Sequence, residues 1–259
     1  MTIKRGTPTV ETKELTKFFG GIKAVVDLNL TVYSGETFGL LGPNGAGKTT
    51  TVRMLNAIIK PTRGTAIVGG YDVVKQPIMV KRITGFLPET AGVYDKLTAR
   101  EFLYFIGRLY DVPREDIQVR SEELFELLDL NGREDDLLES YSRGMKQKIL
   151  IASTLIHDPE IIFLDEPTAT LDPASARTVK DTIKYLSEMG DKTIFLCTHI
   201  LSVAEELCKR VGIIDKGKLL AVGSPSQLME MTETDSLEDA FLKITKRERK
   251  SIKDMLGWA

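Results

Sequence analysis

The sequence predicts an α/β protein with a mostly parallel sheet and flanking helices, joined to an antiparallel β subdomain and an inserted α-helical subdomain. Two continuous apolar segments, "EIIFLDE" and "KTIFLCTH", are typical of strands buried on both faces of a parallel sheet. The segment between them, "PASARTVKDTIKYLSEMG", has helical spacing, and such a strand–helix–strand unit implies a right-handed parallel crossover. Alternating segments near the N-terminus and a helical region in mid-chain predict the two other parts.

The N-terminal elements follow from hydrophobic patterning. The segments "VETKELTKFF" and "DLNLTVYSGE" alternate and predict strands of a half-exposed antiparallel sheet. Next, "ETFGLL" predicts a short apolar strand that ends in a glycine-rich loop, and "KTTTVRMLNAII" has helical spacing. The Pro-Thr-Arg-Gly turn at residues 61–64 is expected to end that helix.

Residues 89–138 predict the helical insert. Thr98 and Glu101 have the spacing of a capping box. Apolar residues follow at helical intervals, namely Phe102, Leu103, Phe105, Ile106 and Leu109. Pro113 is expected to break this helix, and a second helical face is expected to begin with Leu124, Phe125, Leu127 and Leu128.

Composition and charge exclude several classes of protein. The chain has 259 residues, of which 42% are hydrophobic and 28% charged, so it can bury a real core. Its formal net charge of −2 makes nucleic acid an unexpected partner. Two cysteines do not make a disulfide framework and predict buried thiols in a reducing cytosol. We expect neither a secretory signal nor a membrane span, because no apolar run is long enough.

The C-terminal segment, "SLEDAFLKITKRERKSIKDMLGWA", predicts one or two short amphipathic helices. Its basic cluster at residues 246–250 has two explanations. It is either a solvated face, which we favour, or a contact with anionic lipid head groups.

The segment "GPNGAGKTT" at residues 42–50 carries the first chemical motif, since it matches G-x-x-x-x-G-K-[ST]. Glycines let backbone N–H groups point at a phosphate, and the following helix adds a favourable field. Lys48 is expected at the β- and γ-phosphates and Thr49 on Mg²⁺. The expected nucleotide-binding residues are Gly42, Pro43, Asn44, Gly45, Ala46, Gly47, Lys48, Thr49 and Thr50. A chance glycine-rich turn is the alternative, but the strand before and the helix after it favour a nucleotide.

Acidic residues and a histidine end the two apolar strands. Asp165 closes "IIFLD", where a carboxylate is costly unless it meets a cation such as Mg²⁺. Glu166 is then placed to orient or deprotonate a water that attacks the γ-phosphate. The alternative is an acidic pair that caps the next helix. His199 follows the neighbouring strand, and parallel sheets gather ligands at this edge, so we expect it at the γ-phosphate.

The segment "YSRGMKQK" at residues 141–148 looks like a second helix start suited to an anion. An ordinary helix cap explains Ser142 but leaves the flanking positions without a purpose within one subunit.

The ordered set "GPNGAGKTT", "GFLPE", "YSRGMKQK", "IIFLDEPTATLD" and "CTHIL" resembles the nucleotide-binding subunit of ABC transporters. The resemblance implies a P-loop NTPase core and an ATPase that binds ATP and Mg²⁺. It also implies a head-to-tail dimer in which Ser142 and Gly144 contact the γ-phosphate held by the partner's Lys48. The branch it resembles most is that of drug, polysaccharide and lipid exporters.

The resemblance divides the chain into four parts. Residues 1–88 are the N-terminal part of the ATP-binding core with the antiparallel β subdomain, and residues 89–157 are the helical subdomain ending in the signature helix. Residues 158–222 are the second part of the core, and residues 223–259 are a C-terminal helical tail.

The resemblance implies further roles. Phe19 is expected to stack on adenine, although packing beneath the sheet explains it as well. Asp172 matches a loop that communicates across the dimer, and it is also suited to be the N-cap of a helix that starts at Pro173. Glu89 stands where the family most often has glutamine, and it is expected at Mg²⁺ or water.

The expected partners are a transmembrane permease and either a second copy of this chain or a related ATPase subunit. The expected location is cytoplasmic, on the inner face of the membrane through the permease. A soluble switch on ribosomes or DNA is the alternative, but it usually has two ATPase domains or long coiled coils. A small-molecule kinase is a third, and it leaves "YSRGMKQK" unexplained.

Overall fold

A computed structural model describes residues 6–246, which form two sheets with flanking helices. The strands, in chain order, are β1 (Pro8–Phe19), β2 (Ile22–Tyr33), β3 (Thr37–Leu41), β4 (Arg63–Val68), β5 (Tyr71–Asp72), β6 (Thr84–Leu87), β7 (Ile161–Asp165), β8 (Thr193–Thr198), β9 (Arg210–Asp215) and β10 (Lys218–Gly223).

The smaller sheet has the order β2-β1-β4-β5 and is antiparallel throughout. In it, Val10 pairs with Val32 and Leu15 with Leu28, and all four side chains are buried. The prediction of an antiparallel N-terminal sheet is therefore confirmed, while β4 and β5 were not predicted.

The larger sheet has the order β10-β9-β3-β8-β7-β6 and is parallel except for β10. Every residue of β3, β7 and β8 is buried. Their side chains alternate between two cores: Ile162, Leu164 and Leu196 belong to one, and Phe163 and Phe195 to the other. Burial on both faces explains why these strands are continuously apolar.

The register of the larger sheet brings three strand ends to one edge. Leu41, the last residue of β3, is paired with Thr198, the last residue of β8. Asp165, the last residue of β7, is paired with Cys197. The loops that follow these strands therefore start side by side, as a ligand site of a parallel sheet requires.

The helices cover the sheets and build the insert. In chain order they are α1 (Lys48–Leu55), α2 (Pro77–Ile83), α3 (Ala99–Leu109), α4 (Arg114–Leu127), α5 (Arg143–Leu155), α6 (Pro173–Met189), α7 (Leu201–Leu207), α8 (Pro225–Thr232) and α9 (Leu237–Ile244). A short 3₁₀ turn, Leu138–Ser140, precedes α5. The crossover helix between β7 and β8 is confirmed as α6. The helix α2 and the strand β6 were not predicted.

Two predicted helix boundaries are wrong. The helix α1 ends at Leu55, well before the turn at residues 61–64, because Ala57 adopts a left-handed φ of 52°. In the insert, Leu124 and Phe125 lie in the last turns of α4 rather than at its start. Pro113 is the N-cap of α4, and Glu115 and Asp116 fill its first turn, where negative charge favours the helix dipole.

The helix α3 has the predicted capping box, in which Thr98 and Glu101 bond each other's backbone N–H. Of its predicted apolar face, Phe102 and Leu103 are buried, whereas Phe105 and Leu109 are exposed. The predicted helix is therefore confirmed, and its apolar residues divide between the core and the surface.

The C-terminal elements α8 and α9 pack on the core through Leu228, Leu237 and Ala240. Of the basic cluster at residues 246–250, only Lys246 lies within the described residues. No helix between residues 6 and 246 has the length and apolarity needed to cross a bilayer.

His157, which follows α5, is half-buried and packs against Tyr110. Its ring stacks on Tyr110 with centroids 3.7 Å apart, and its Nε2 lies 3.0 Å from the Thr84 carbonyl oxygen. Its Nδ1 has no hydrogen-bond partner within residues 6–246. Burial is the main cause that lowers the pKa of His157 from 6.5 to about 4.

The depressed pKa of His157 predicts a pH-dependent free energy of unfolding. As the pH falls below the pKa that His157 has in the unfolded chain, the unfolded chain binds a proton and the folded chain does not. The free energy of unfolding therefore decreases. Between pH 7 and 5 this site should remove roughly 2 kcal/mol. His157→Phe keeps the ring stack and should remove that part of the pH dependence in urea unfolding. An equal change of stability with pH in both proteins would contradict this prediction.

Candidate active site

The loop between β3 and α1 has a backbone that only small residues allow. Gly47 has a φ of 110°, and a Cβ there would lie 2.5 Å from the Ala24 carbonyl oxygen. A Cβ at Gly42 would lie 2.3 Å from the Ile214 carbonyl oxygen. Gly47 is the N-cap of α1 and offers no side chain to its first N–H groups. These N–H groups are therefore available to an anion, which the helix dipole also favours.

Lys48, the first residue of α1, is buried and points back at the loop. Its Nζ donates to the carbonyl oxygens of Gly42, at 2.8 Å, and Pro43, at 3.3 Å. It also forms an ion pair with Oε1 of Glu166 at 3.4 Å, and both side chains are at most 6% exposed. A phosphate that enters the loop must compete with these contacts for the ammonium group.

Asp165 is the most buried charge of the site. Its exposure is 0%, and neither carboxylate oxygen accepts a hydrogen bond from any residue of the described chain. Burial raises the pKa of Asp165, and the negative charges of Glu89 and Glu166 add to this effect. A buried carboxylate without a partner is expensive unless a cation meets it.

Glu166 is held by neighbours on both of its carboxylate oxygens. Its Oε1 lies 2.8 Å from Nδ1 of His199, in addition to the Lys48 contact, and its Oε2 lies 3.2 Å from the Thr198 hydroxyl. The backbone has a left-handed φ of 53°, and its N–H donates to the Cys197 carbonyl oxygen at 2.9 Å. The strained residue is fixed against the end of β8, as positioned catalytic groups often are.

A cleft of about 360 Å³ connects these groups. Its walls are Ile22, Lys23, Ala24, Asn44, Gly45, Ala46, Gly47, Lys48, Thr49, Thr50, Glu89 and Glu166. The structure therefore places loop residues 44–50, Glu89 and Glu166 around one cleft, with His199 against Glu166 and Asp165 directly before it. Their predicted roles stay predictions. Ile22, Lys23 and Ala24 were missed, because no motif marks a hairpin that closes over a loop.

The residues at this edge fit Mg²⁺ when a nucleotide shares it. Among the described residues there is no group of three or more His, Cys, Asp or Glu side chains that could hold a metal by itself. Asp165, the Thr49 hydroxyl and Glu89 supply hard oxygen atoms, and Mg²⁺ usually binds one or two carboxylates together with phosphate oxygens. The unpartnered oxygens of Asp165 are the observation that fits such an ion.

Phe19 ends β1 at the hairpin that leads to Ile22. Its side chain is 48% exposed, and Nζ of Lys17 lies 5.0 Å from its ring centroid. The explanation that Phe19 packs beneath the sheet is therefore wrong. Its stacking on adenine stays a prediction.

Ser142, Gly144 and Asp172 lie outside the cleft, in a second cluster where α5 and α6 begin. The Ser142 hydroxyl accepts from the Met145 N–H at 3.2 Å. Asp172 accepts from the N–H groups of Ala174 and Ser175, so its predicted role as N-cap is confirmed. Its hydrogen bonds to Ser175 are the main cause that lowers the pKa of Asp172.

The residues that flank Ser142 make structural contacts within their own subunit. The sequence-based expectation that they have no purpose within one subunit is therefore wrong. A Cβ at Gly144 would lie 2.1 Å from Oγ of Ser175, so the glycine lets α5 pack on α6. Tyr141 is buried and its hydroxyl donates to the Arg133 carbonyl oxygen at 2.7 Å. Gln147 donates to the Pro167 carbonyl oxygen at 3.0 Å. Gln147 was missed because its partner is distant in the sequence.

Comparisons with known proteins agree on one family. A family model described as "ABC transporter" matches residues 25–169. The chain is 36% identical over 228 residues to the linearmycin resistance ATP-binding protein LnrL of Bacillus subtilis, covering 88% of this chain and 73% of that one. It is 40% identical over 211 residues to the bacitracin transport ATP-binding protein BcrA of Bacillus licheniformis, covering 82% of this chain and 68% of that one.

The chain is also similar in structure to an ATP-binding cassette that was solved as a dimer. It is the dimeric, post-hydrolysis state of an ATP-binding cassette bound to ADP and Pi. It has a TM-score of 0.76 and 25% sequence identity, and the match covers 83% of this chain and 98% of that one.

Proposed function

The chain belongs to the ABC transporter family as an ATP-binding subunit, and we propose that it hydrolyses Mg-ATP between two head-to-tail protomers to drive a separate export permease. The observation that carries this proposal is the buried group at the end of β7 and β8, where Lys48, Asp165, Glu166 and His199 meet. The relatives that confer linearmycin resistance or transport bacitracin support export as the direction.

The residues of the cleft would divide the chemistry as follows. Lys48 and the first N–H groups of α1 would bind the β- and γ-phosphates. Asp165, Thr49 and Glu89 would hold Mg²⁺, which supplies positive charge to the phosphate oxygens. Glu166 would orient and deprotonate the attacking water, and His199 would contact the γ-phosphate. Phe19 would stack on the base at the open side.

Lys48 links the phosphate-binding loop to the proposed base. Its ammonium group is paired with the Glu166 carboxylate at 3.4 Å. A triphosphate carries more negative charge than one carboxylate and would compete for Lys48.

The second cluster would act on the nucleotide of the partner protomer. Ser142 is exposed at the start of α5 and lies apart from the cleft of its own chain. Two copies in head-to-tail order would place Ser142 and Gly144 of one protomer at the γ-phosphate of the other, and Asp172 beside this contact. The γ-phosphate disappears on hydrolysis, so the dimer would open after each turnover.

An exposed apolar patch on the insert would receive the permease. We call Tyr94, Tyr104, Phe105 and Leu109 the α3 patch; all four are between 39% and 64% exposed. The Tyr94 and Phe105 rings pack edge to face, with centroids 5.5 Å apart. Clustered apolar residues on a surface mark an interaction site. Through this patch the chain would sit at the cytoplasmic face of the membrane.

Glu166→Gln tests the ATPase proposal. The amide cannot take a proton from water, so phosphate release without any acceptor should fall by at least about 100-fold. Binding should survive, so MgATP should convert the variant from monomers to dimers in sedimentation velocity. Glu188→Gln, an exposed site on α6, is the matched control and should behave as the wild type. An unchanged rate of phosphate release in Glu166→Gln, or no change in sedimentation with ATP, would contradict the proposal.

Leu109→Glu tests the α3 patch. A charge there should cost roughly tenfold or more in capture of the permease, because it would be buried in an apolar contact. The measurement is copurification from membranes in which this chain is expressed together with a candidate export permease. Val119→Glu, on α4 and 58% exposed, is the control. The patch is not the docking surface if both variants capture the membrane protein equally well and keep their ATPase rates.

A further inference from the structure

Thr198 makes a contact that the proposed mechanism has not used. It is the last residue of β8, it is 1% exposed, and its side chain lies against Glu166. Its Oγ1 is 3.0 Å from the Ile200 backbone nitrogen and 3.2 Å from Oε2 of Glu166.

The direction of both hydrogen bonds follows from the groups involved. A backbone N–H can only donate, so the Thr198 oxygen accepts from Ile200. A hydroxyl has a single proton, and that proton is then free for the second contact. Thr198 therefore donates to Oε2 of Glu166.

The two oxygens of Glu166 differ in what the substrate would do to them. Oε1 contacts Lys48 and His199, and both of these would turn toward the γ-phosphate. Oε2 contacts Thr198, which has no phosphate to approach. Thr198 is also fixed, since its strand pairs with β3 through Leu41. The Thr198 contact therefore persists when the other two are exchanged.

We propose that Thr198 is a positioning residue for the ATPase reaction: its hydroxyl holds the Glu166 carboxylate in the orientation that aims it at the attacking water. This inference rests on the proposed role of Glu166 as the base. It assigns to Thr198 a task separate from that of His199, which touches the other oxygen.

Thr198→Val removes the hydroxyl with little change of volume. Losing a hydrogen bond to a charged group should lower kcat roughly tenfold and leave the KM for MgATP within about twofold. Thr198→Ser keeps the donor and should recover most of the kcat.

Valine at position 198 also removes the oxygen that accepts from the Ile200 N–H, so the variant could lose stability as well as the contact with Glu166. Thermal unfolding without nucleotide reports on it. In a Glu166→Gln background, Thr198→Val should cause no further loss of turnover, since the group it positions is already inactive. The proposal is overturned if Thr198→Val keeps the wild-type kcat, or if valine and serine slow turnover equally while lowering the unfolding temperature. Full turnover by Glu166→Gln would instead overturn the proposed function.

Discussion

Buried negative charge at one edge of the parallel sheet is the constraint on which the rest of this structure depends. Asp165 and Glu166 stand together at the end of a strand that is buried on both faces. Lys48 offsets Glu166 at 3.4 Å, but no described residue donates to Asp165. Asp165 does not stabilise the fold, because a buried carboxylate without a partner lowers the free energy of unfolding. The cost is understandable if the edge is completed by a cation and a polyphosphate, which the glycine-rich loop is shaped to receive.

The start of α5 is joined to this edge within the same protomer. Gln147 holds the Pro167 carbonyl, directly after Glu166, and Gly144 packs on Ser175 at the start of α6. A force on the tip of α5 therefore acts on the segment that carries the proposed base. In a head-to-tail dimer, the start of α5 would contact the nucleotide of the other protomer. The two active sites would then be linked through the contact between Gln147 and Pro167. A dimer of this kind would then control each site as well as complete it.

Sequence reasoning reached the parts of this fold that have local causes. Burial on both faces leaves an apolar run in β7 and β8, and the capping box at Thr98 is a backbone requirement met by neighbours in the chain. Motif spacing likewise located the loop and the acidic pair. Sequence reasoning failed where the cause is a contact between distant segments. Gly144 is required because Ser175 packs against it, and no sequence pattern predicts that contact. It also failed where a single backbone angle sets a helix boundary. The left-handed φ of Ala57 ends α1, and the sequence does not predict that angle.

Asp165→Asn measures the central claim most directly, through unfolding temperatures with no ligand, with ATP plus EDTA, and with MgATP. The account predicts that the ligand-free variant unfolds at a higher temperature than the wild type, since a buried charge has been removed. It also predicts that the extra stabilisation by MgATP over metal-free ATP is present in the wild type and lost in the variant. Asp191→Asn, at an exposed position, should change neither quantity. A ligand-free Asp165→Asn that unfolds earlier and still gains the full increment from magnesium would contradict the account.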